Sequence, residues 1–226
     1  MWREKQALWR SQYLQRFDAA EARAYDARVG ELSVEDEAAY RSDIGEAIEL
    51  RAGMRVLDVG AGTGAFTRLL ARTSALDLTA LEPAPAMLER LRTRPELSAV
   101  RIVQGFCDSL EERESFPEAS FDVIASRQTI NSLYDPLAAF RNWQDWLAPG
   151  GVVVAIDGTY DRAAWTGTWE HDVDTLPLSA TQSTGTVAYL LEAVGFHIER
   201  VSWMNAVNRR PMTRTPRYLV VARKYA

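Results

Sequence analysis

The run Val56-Leu57-Asp58-Val59-Gly60-Ala61-Gly62-Thr63-Gly64 constrains this chain more than any other stretch of it. Its first part is short and apolar, the pattern of a strand buried in a parallel sheet, and it empties into a turn with glycine at every second position. Glycine takes positive φ without steric cost and leaves no side chain between backbone and ligand. A second apolar run, Leu76 to Leu81, ends in Glu82. A strand, a glycine turn and an acidic residue closing the next strand together hold a nucleoside, the turn against the chain backbone and the carboxylate against ribose hydroxyls. The pair predicts a nucleoside cofactor.

The glycine spacing narrows the choice. Gly60-x-Gly62-x-Gly64 is one residue tighter than the G-x-G-x-x-G of dinucleotide enzymes, and no Lys-Ser or Lys-Thr follows to bind a triphosphate. Asp58 sits two residues before the first glycine, where its charge repels a pyrophosphate and suits a cationic ligand end. Asp58 also has a plain reading, as a cap for turn N–H groups.

With these residues the sequence resembles the class I S-adenosylmethionine-dependent methyltransferases, from about Met54 to Lys224 and more loosely around Phe17 to Tyr25. The glycine run looks like the family's first motif, and Ala80-Leu81-Glu82-Pro83 like its ribose-binding strand end. The resemblance implies S-adenosyl-L-methionine as cofactor and S-adenosyl-L-homocysteine as product. It implies Asp58, Gly60, Gly62, Gly64, Glu82, Pro83 and Met87 as cofactor residues. Gln104-Gly105-Phe106-Cys107-Asp108 looks like the adenine segment, with Asp108 accepting from the exocyclic amine and Phe106 or Cys107 flanking the ring. By the same resemblance Ser126 and Arg127 lie near the cofactor, and Asn131 and Tyr134 near the methyl acceptor. Tyr25-Asp26 looks like a further family element, so that Tyr13, Phe17 and Tyr25 cover the cofactor from above. No N-P-P-Y or D-P-P-Y motif is present, which disfavours nucleobase and glutamine acceptors.

Strand-like runs at Arg55 to Val59, Leu76 to Leu81, Val100 to Val103, Phe121 to Ala125, Gly151 to Ile156, His197 to Trp203 and Tyr218 to Ala222 alternate with helical patterns. That alternation predicts an α/β fold with parallel strands and helices on both faces, the two final strands pairing antiparallel. The resemblance implies a Rossmann-like, seven-stranded, mostly parallel sheet of order 3-2-1-4-5-7-6 with the last strand antiparallel. The cleft then lies where that order reverses, beyond the carboxyl ends of the strands. Residues 1–50 read as an N-terminal helical lid and 51–226 as the methyltransferase domain. The long insertion 158–185 reads as part of the acceptor pocket, because connections of this length are commonly functional.

Composition bounds the remaining classes. At 226 residues and 47% hydrophobic the chain can bury a full core. A lone cysteine, Cys107, excludes a disulfide framework and multi-cysteine metal chemistry, including thiol-dependent arsenite methylation and radical clusters. No metal ligand set is expected. The charged N-terminus and the absence of any run of about 18 apolar residues predict a cytoplasmic protein without membrane contact. The net charge of -5 disfavours nucleic acid and leaves a small molecule as the partner; nothing in the sequence speaks to oligomeric state. One contrary cluster, Arg209, Arg210, Arg214 and Arg217, suits either a phosphate or carboxylate or a solvated hairpin.

Methyl transfer from a sulfonium needs alignment and exclusion of water, and a base only for an acceptor protonated at working pH. His171, Asp157 and Tyr160 are the candidate bases. Trp165 and Trp169, four apart, either line a lid over a planar acceptor or anchor the insertion. Trp143 and Trp146 read as packing. The expected reaction is methyl transfer to an N or O atom of a small metabolite. The alternatives are a non-methylating decarboxylase or cyclase that uses the bound sulfonium, and a cofactor-binding regulatory subunit. A nicotinamide dehydrogenase is disfavoured by the glycine spacing.

Overall fold

The computed structural model describes residues 2–166, 170 and 172–225. Seven strands form one sheet: β1 (Arg55–Val59), β2 (Asp77–Glu82), β3 (Arg101–Gln104), β4 (Phe121–Arg127), β5 (Leu147–Gly158), β6 (Phe196–Trp203) and β7 (Arg217–Lys224). Their order is β3-β2-β1-β4-β5-β7-β6, as the resemblance implies. The first five run parallel, while β7 lies antiparallel between β5 and β6. Strand limits match the apolar runs at the centre of the sheet and extend beyond them in β5, whose first residues include the Pro149-Gly150-Gly151 segment.

Helices cover both faces: α1 (Trp2–Arg16), α2 (Ala19–Val29), α3 (Val34–Gly45), α4 (Ala65–Ala71), α5 (Pro85–Arg92), α6 (Pro136–Trp146), α7 (Gly185–Ala193) and the single turn α8 (Asn205–Asn208). Because successive strand side chains point to opposite faces, alternate residues of the central strands feed two cores. Leu57, Ile124 and Val153 pack with Phe140, Trp143 and Trp146 of α6 and Leu191 of α7. Val56, Val123 and Val154 pack with Phe66 and Leu69 of α4 and Tyr40 and Ile44 of α3. Trp143 and Trp146 are fully buried, as read from the sequence.

Helix α3 packs into the sheet core through Tyr40 and Ile44. What lies over the carboxyl edge of the sheet is α1 and α2. Asp26 of α2 anchors that cover by accepting from Arg90 at 2.7 Å and from Arg94 at 2.6 Å, while Arg94 also donates to the Thr63 carbonyl at 2.7 Å. One aspartate thus joins α2, α5 and the glycine turn.

Candidate cofactor and acceptor site

A cavity of about 380 Å³ opens at the carboxyl ends of β1, β2 and β4, where the strand order reverses. This is within the roughly 300–1,000 Å³ of small-molecule sites. The three glycines of the turn all have positive φ, but for different purposes. A Cβ on Gly60 would fall 2.1 Å from Thr129 Oγ1, so Gly60 makes room for the loop after β4. A Cβ on Gly64, the N-cap of α4, would fall 2.9 Å from Leu97 Cδ1, so that glycine serves helix packing and lies off the cavity. Gly60 and Gly62 both line the cavity, but of the two only Gly62 has free space on it; its Cβ would meet nothing nearer than Tyr25 at 3.9 Å.

Glu82 is buried at the end of β2 and faces the same space. One carboxylate oxygen accepts from Gly62 N at 3.0 Å and the other from Ala84 N at 2.9 Å, which fixes its plane and leaves each oxygen a free lone pair. Burial, only partly offset by those N–H groups, raises its pKa to about 7. Asp58 turns from the cavity toward α4, where Thr67 Oγ1 donates to it at 2.6 Å. Its other oxygen is buried without a partner, and burial raises its pKa to about 6.

Aromatic side chains close the cavity from above. Trp9 and Tyr13 of α1, Phe17 after it and Tyr25 of α2 line the wall, with Phe106 6.4 Å from Trp9 and 6.0 Å from Tyr13, edge-on. A latch holds α1 there. Arg10 donates to Asp108 at 2.5 Å, pairs with Glu112 at 2.8 Å and lies 4.4 Å over the Phe106 ring. Gln6 Nε2 donates to the Asp108 carbonyl at 2.6 Å. Asp108 has a third donor in Tyr134 N at 2.7 Å, and Arg16 pairs with Asp172 across to the insertion.

A family model described as "Methyltransferase domain" matches residues 34–201. The chain belongs to the S-adenosylmethionine-dependent methyltransferase family. It is 32% identical over 166 residues to phosphoethanolamine N-methyltransferase 1 of Triticum aestivum, a match covering 66% of this chain and 30% of that one. The chain thus spans about a third of that relative's length. A crystal structure of a SAM-dependent methyltransferase from Aquifex aeolicus shares the fold with a TM-score of 0.67 at 18% identity, over 92% of this chain and 99% of that one. The cyclase SpnF shares it with a TM-score of 0.64 at 19% identity, over 84% and 82%.

The cavity fits the family's cofactor on three observations. Gly62 leaves a cradle that a methyl group would fill; Glu82 presents two oriented acceptors for vicinal hydroxyls; and Asp58 has an orphaned oxygen beneath the turn, suited to an ammonium group directly or through water. Pro83, Met87, Phe106, Cys107, Asp108 and Tyr25 also line the cavity. Burial pushes the Cys107 thiol well up, so it packs as a neutral group. Ser126 is fully buried inside β4 and does not reach the cavity; its neighbours Arg127, Gln128 and Thr129 do.

Arg127, expected near the cofactor, lines the cavity, as do Asn131, Tyr160 and Trp165. Trp165 lines the cavity, and its Nε1 donates to the Ser179 carbonyl within the same insertion at 3.0 Å. Tyr134 is a correction: it is buried beside Trp9 at 5.9 Å, and its backbone, not its ring, reaches the site through Asp108. Asp157 is another. Its oxygens accept from Asn131 N at 3.0 Å and Gly158 N at 2.7 Å, and it does not line the cavity, although burial raises its pKa to about 6. Burial likewise raises Tyr160 to about 12. His171 and Trp169 lie outside the described residues.

Sequence reasoning missed Trp9, Gln128 and Thr129 on the wall. Trp9 carries a signal in its spacing of four from Tyr13, whereas its apolar neighbour Leu8 is exposed. Gln128 adopts φ 57°, unusual for a residue other than glycine, with its N–H held by the Ile156 carbonyl at 2.8 Å. No sequence signal marks that turn.

Proposed function

We propose that this chain transfers a methyl group from S-adenosylmethionine to an N or O atom of a small-molecule metabolite. The observation that carries the reading is the conjunction of Glu82, held by two backbone N–H groups, with the open face of Gly62 in one cavity. When bound, S-adenosylmethionine supplies an electrophilic sulfonium methyl group. Glu82 accepts from the ribose hydroxyls, and Phe106 and Met87 enclose the adenine. Asp108, with one strong donor on each oxygen, retains lone pairs for the exocyclic amine.

The chain's contribution to the step is alignment and dryness. Trp9, Tyr13 and Phe17 exclude water above the reacting centre, which strengthens polar contacts inside. Asn131 and Tyr160 offer polar groups to orient the acceptor. With a pKa near 12, Tyr160 is protonated at neutral pH and acts as a hydrogen-bond partner rather than a base. Asp157 holds the Asn131 backbone in place. This suits an acceptor already nucleophilic at neutral pH.

A second reading, cyclisation or decarboxylation without methyl transfer, is favoured by one observation, the shared fold of SpnF. Incubation with methyl-labelled S-adenosylmethionine and a metabolite panel separates the two. Methyl transfer predicts label in the product and stoichiometric S-adenosylhomocysteine; product formed with the cofactor unconsumed contradicts it.

A further inference from the structure

Two guanidinium groups stand at the β4–β5 end of the cavity, Arg127 on its wall and Arg217 behind the lining residue Tyr160. Arg127 lines the cavity at the end of β4, with its Nε buried and without a hydrogen-bond partner. Its Nη1 lies 3.5 Å from Tyr40 Oη and its charge 5.5 Å over the Tyr40 ring. Arg217, at the start of β7, donates from Nη1 to Tyr160 Oη at 2.7 Å and lies 5.6 Å over that ring. Gln128 Nε2 lies 3.5 Å from the same phenol, which joins the two halves of the cluster through a residue that lines the cavity.

Neither arginine enters an ion pair among the described residues, although Arg10, Arg55, Arg94 and Arg210 all do. The four arginines grouped in the sequence are thereby divided: Arg210 pairs with Asp36 at 2.5 Å, whereas Arg217 turns in toward the site. Asp58 and Asp157 act on Arg127 and Arg217 only across space, their hydrogen bonds going to Thr67 and to two backbone N–H groups. Holding cationic groups in a partly dry wall without an anion is unfavourable, and an anionic ligand relieves it.

We propose that Arg127, Arg217 and Tyr160 form an anion-recognition subsite for the methyl acceptor, which therefore carries a carboxylate or phosphate group. The proposal rests on the methyltransferase reading. Its placement favours the acceptor over the cofactor as source of the anion. Glu82 and Phe106 set the nucleoside toward β2 and β3, and the glycine turn, with Asp58 beneath it acting through water, takes the ammonium end at β1. The arginines stand on the other side of β1, at β4 and β7, beside Tyr160 of the segment after β5.

The test is a calorimetric titration of inorganic phosphate into S-adenosylhomocysteine-loaded protein, for wild type, Arg127→Lys and Arg217→Gln. The expected result is millimolar phosphate binding to the loaded wild type, at least tenfold weaker in Arg217→Gln, with S-adenosylhomocysteine affinity kept within threefold. That retained affinity shows that the variant is folded. Arg127→Lys keeps the charge but loses the planar fork, and should bind phosphate several-fold more weakly. Phosphate that competes with S-adenosylhomocysteine overturns the proposal, above all if the variants lose S-adenosylhomocysteine but keep 5′-methylthioadenosine, which has no carboxylate; the arginines then serve the cofactor. Loaded wild type that takes up no phosphate overturns the proposal alone. Wild type that binds no S-adenosylhomocysteine overturns the methyltransferase reading, and the proposal with it.

Discussion

Replacing Arg10 with alanine should release helix α1 while leaving the sheet intact. Arg10 donates to the Asp108 carboxylate and also neutralises Glu112; the side chains are 19%, 2% and 17% exposed respectively. Removing one partner of a buried pair costs about 3–5 kcal/mol, and the partial exposure of Arg10 and Glu112 places this case near the lower end, about 3 kcal/mol. Burial already raises the Glu112 pKa despite the arginine, so its charge is poorly solvated. Because the core helices α3, α4, α6 and α7 do not depend on this latch, the loss should appear as local opening of Trp2–Arg16. At 1.4 kcal/mol per decade, about 3 kcal/mol corresponds to roughly a hundredfold loss of amide protection. Hydrogen exchange resolved over α1 is the assay, and S-adenosylhomocysteine affinity should fall with it, since Trp9 and Tyr13 leave the cavity wall. Combining Arg10→Met with Asp108→Asn and Glu112→Gln removes the buried charges together and should restore part of the protection. Wild-type protection of α1 in Arg10→Ala would refute this reasoning.

Glu82, near half protonation at pH 7 with its pKa of about 7, should release about half a proton when ribose hydroxyls donate to it, because those bonds favour the charged form. Binding enthalpies measured in buffers of different ionisation enthalpy should show that release in wild type and none in Glu82→Gln; proton uptake would contradict it. Glu82, Asp58 and Asp157 all have folded pKa values raised above 4.5, 3.8 and 3.8, to about 7, 6 and 6. Their contribution to stability is thus fully present below pH 4 and lost as the pH rises through 6 to 7, so the ligand-free melting temperature should increase from pH 7.5 to pH 5.5. A melting temperature that falls over that interval speaks against the three carboxylates as dominant titrating groups. Gly62→Ala should lower S-adenosylhomocysteine affinity more than stability, its backbone strain being about 1–2 kcal/mol, whereas Gly64→Ala should cost stability and spare the affinity of the folded fraction. Thermal melts with parallel titrations distinguish the pattern from its reverse.

The sheet was legible because its information is local. Buried parallel strands write short apolar runs, and the turn after β1 needs glycine at three positions with positive φ. Glu82 was legible for the same reason, since it closes a strand next to that turn. What escaped the sequence depends on pairings that no local pattern records. Asp108 meets Arg10 across 98 residues, and this pairing decides how α1 closes the cavity. On α1, Leu8 and Trp9 are both apolar neighbours, and only packing against Tyr134 and Phe106 selects the tryptophan for the buried face. Asp157 looked free at a strand end, yet the Asn131 and Gly158 N–H groups take its oxygens, a result of loop geometry. Gln128 adopts a conformation that its residue type does not advertise.

The central claim is that Glu82 and the glycine turn hold the nucleoside of S-adenosylmethionine. Isothermal titration of S-adenosylhomocysteine into wild type and Glu82→Ala tests it directly. Micromolar binding by wild type, weakened at least tenfold or about 1.4 kcal/mol in the variant, is the predicted result. Equal affinity of the two proteins, or no binding by wild type, would contradict the site as described.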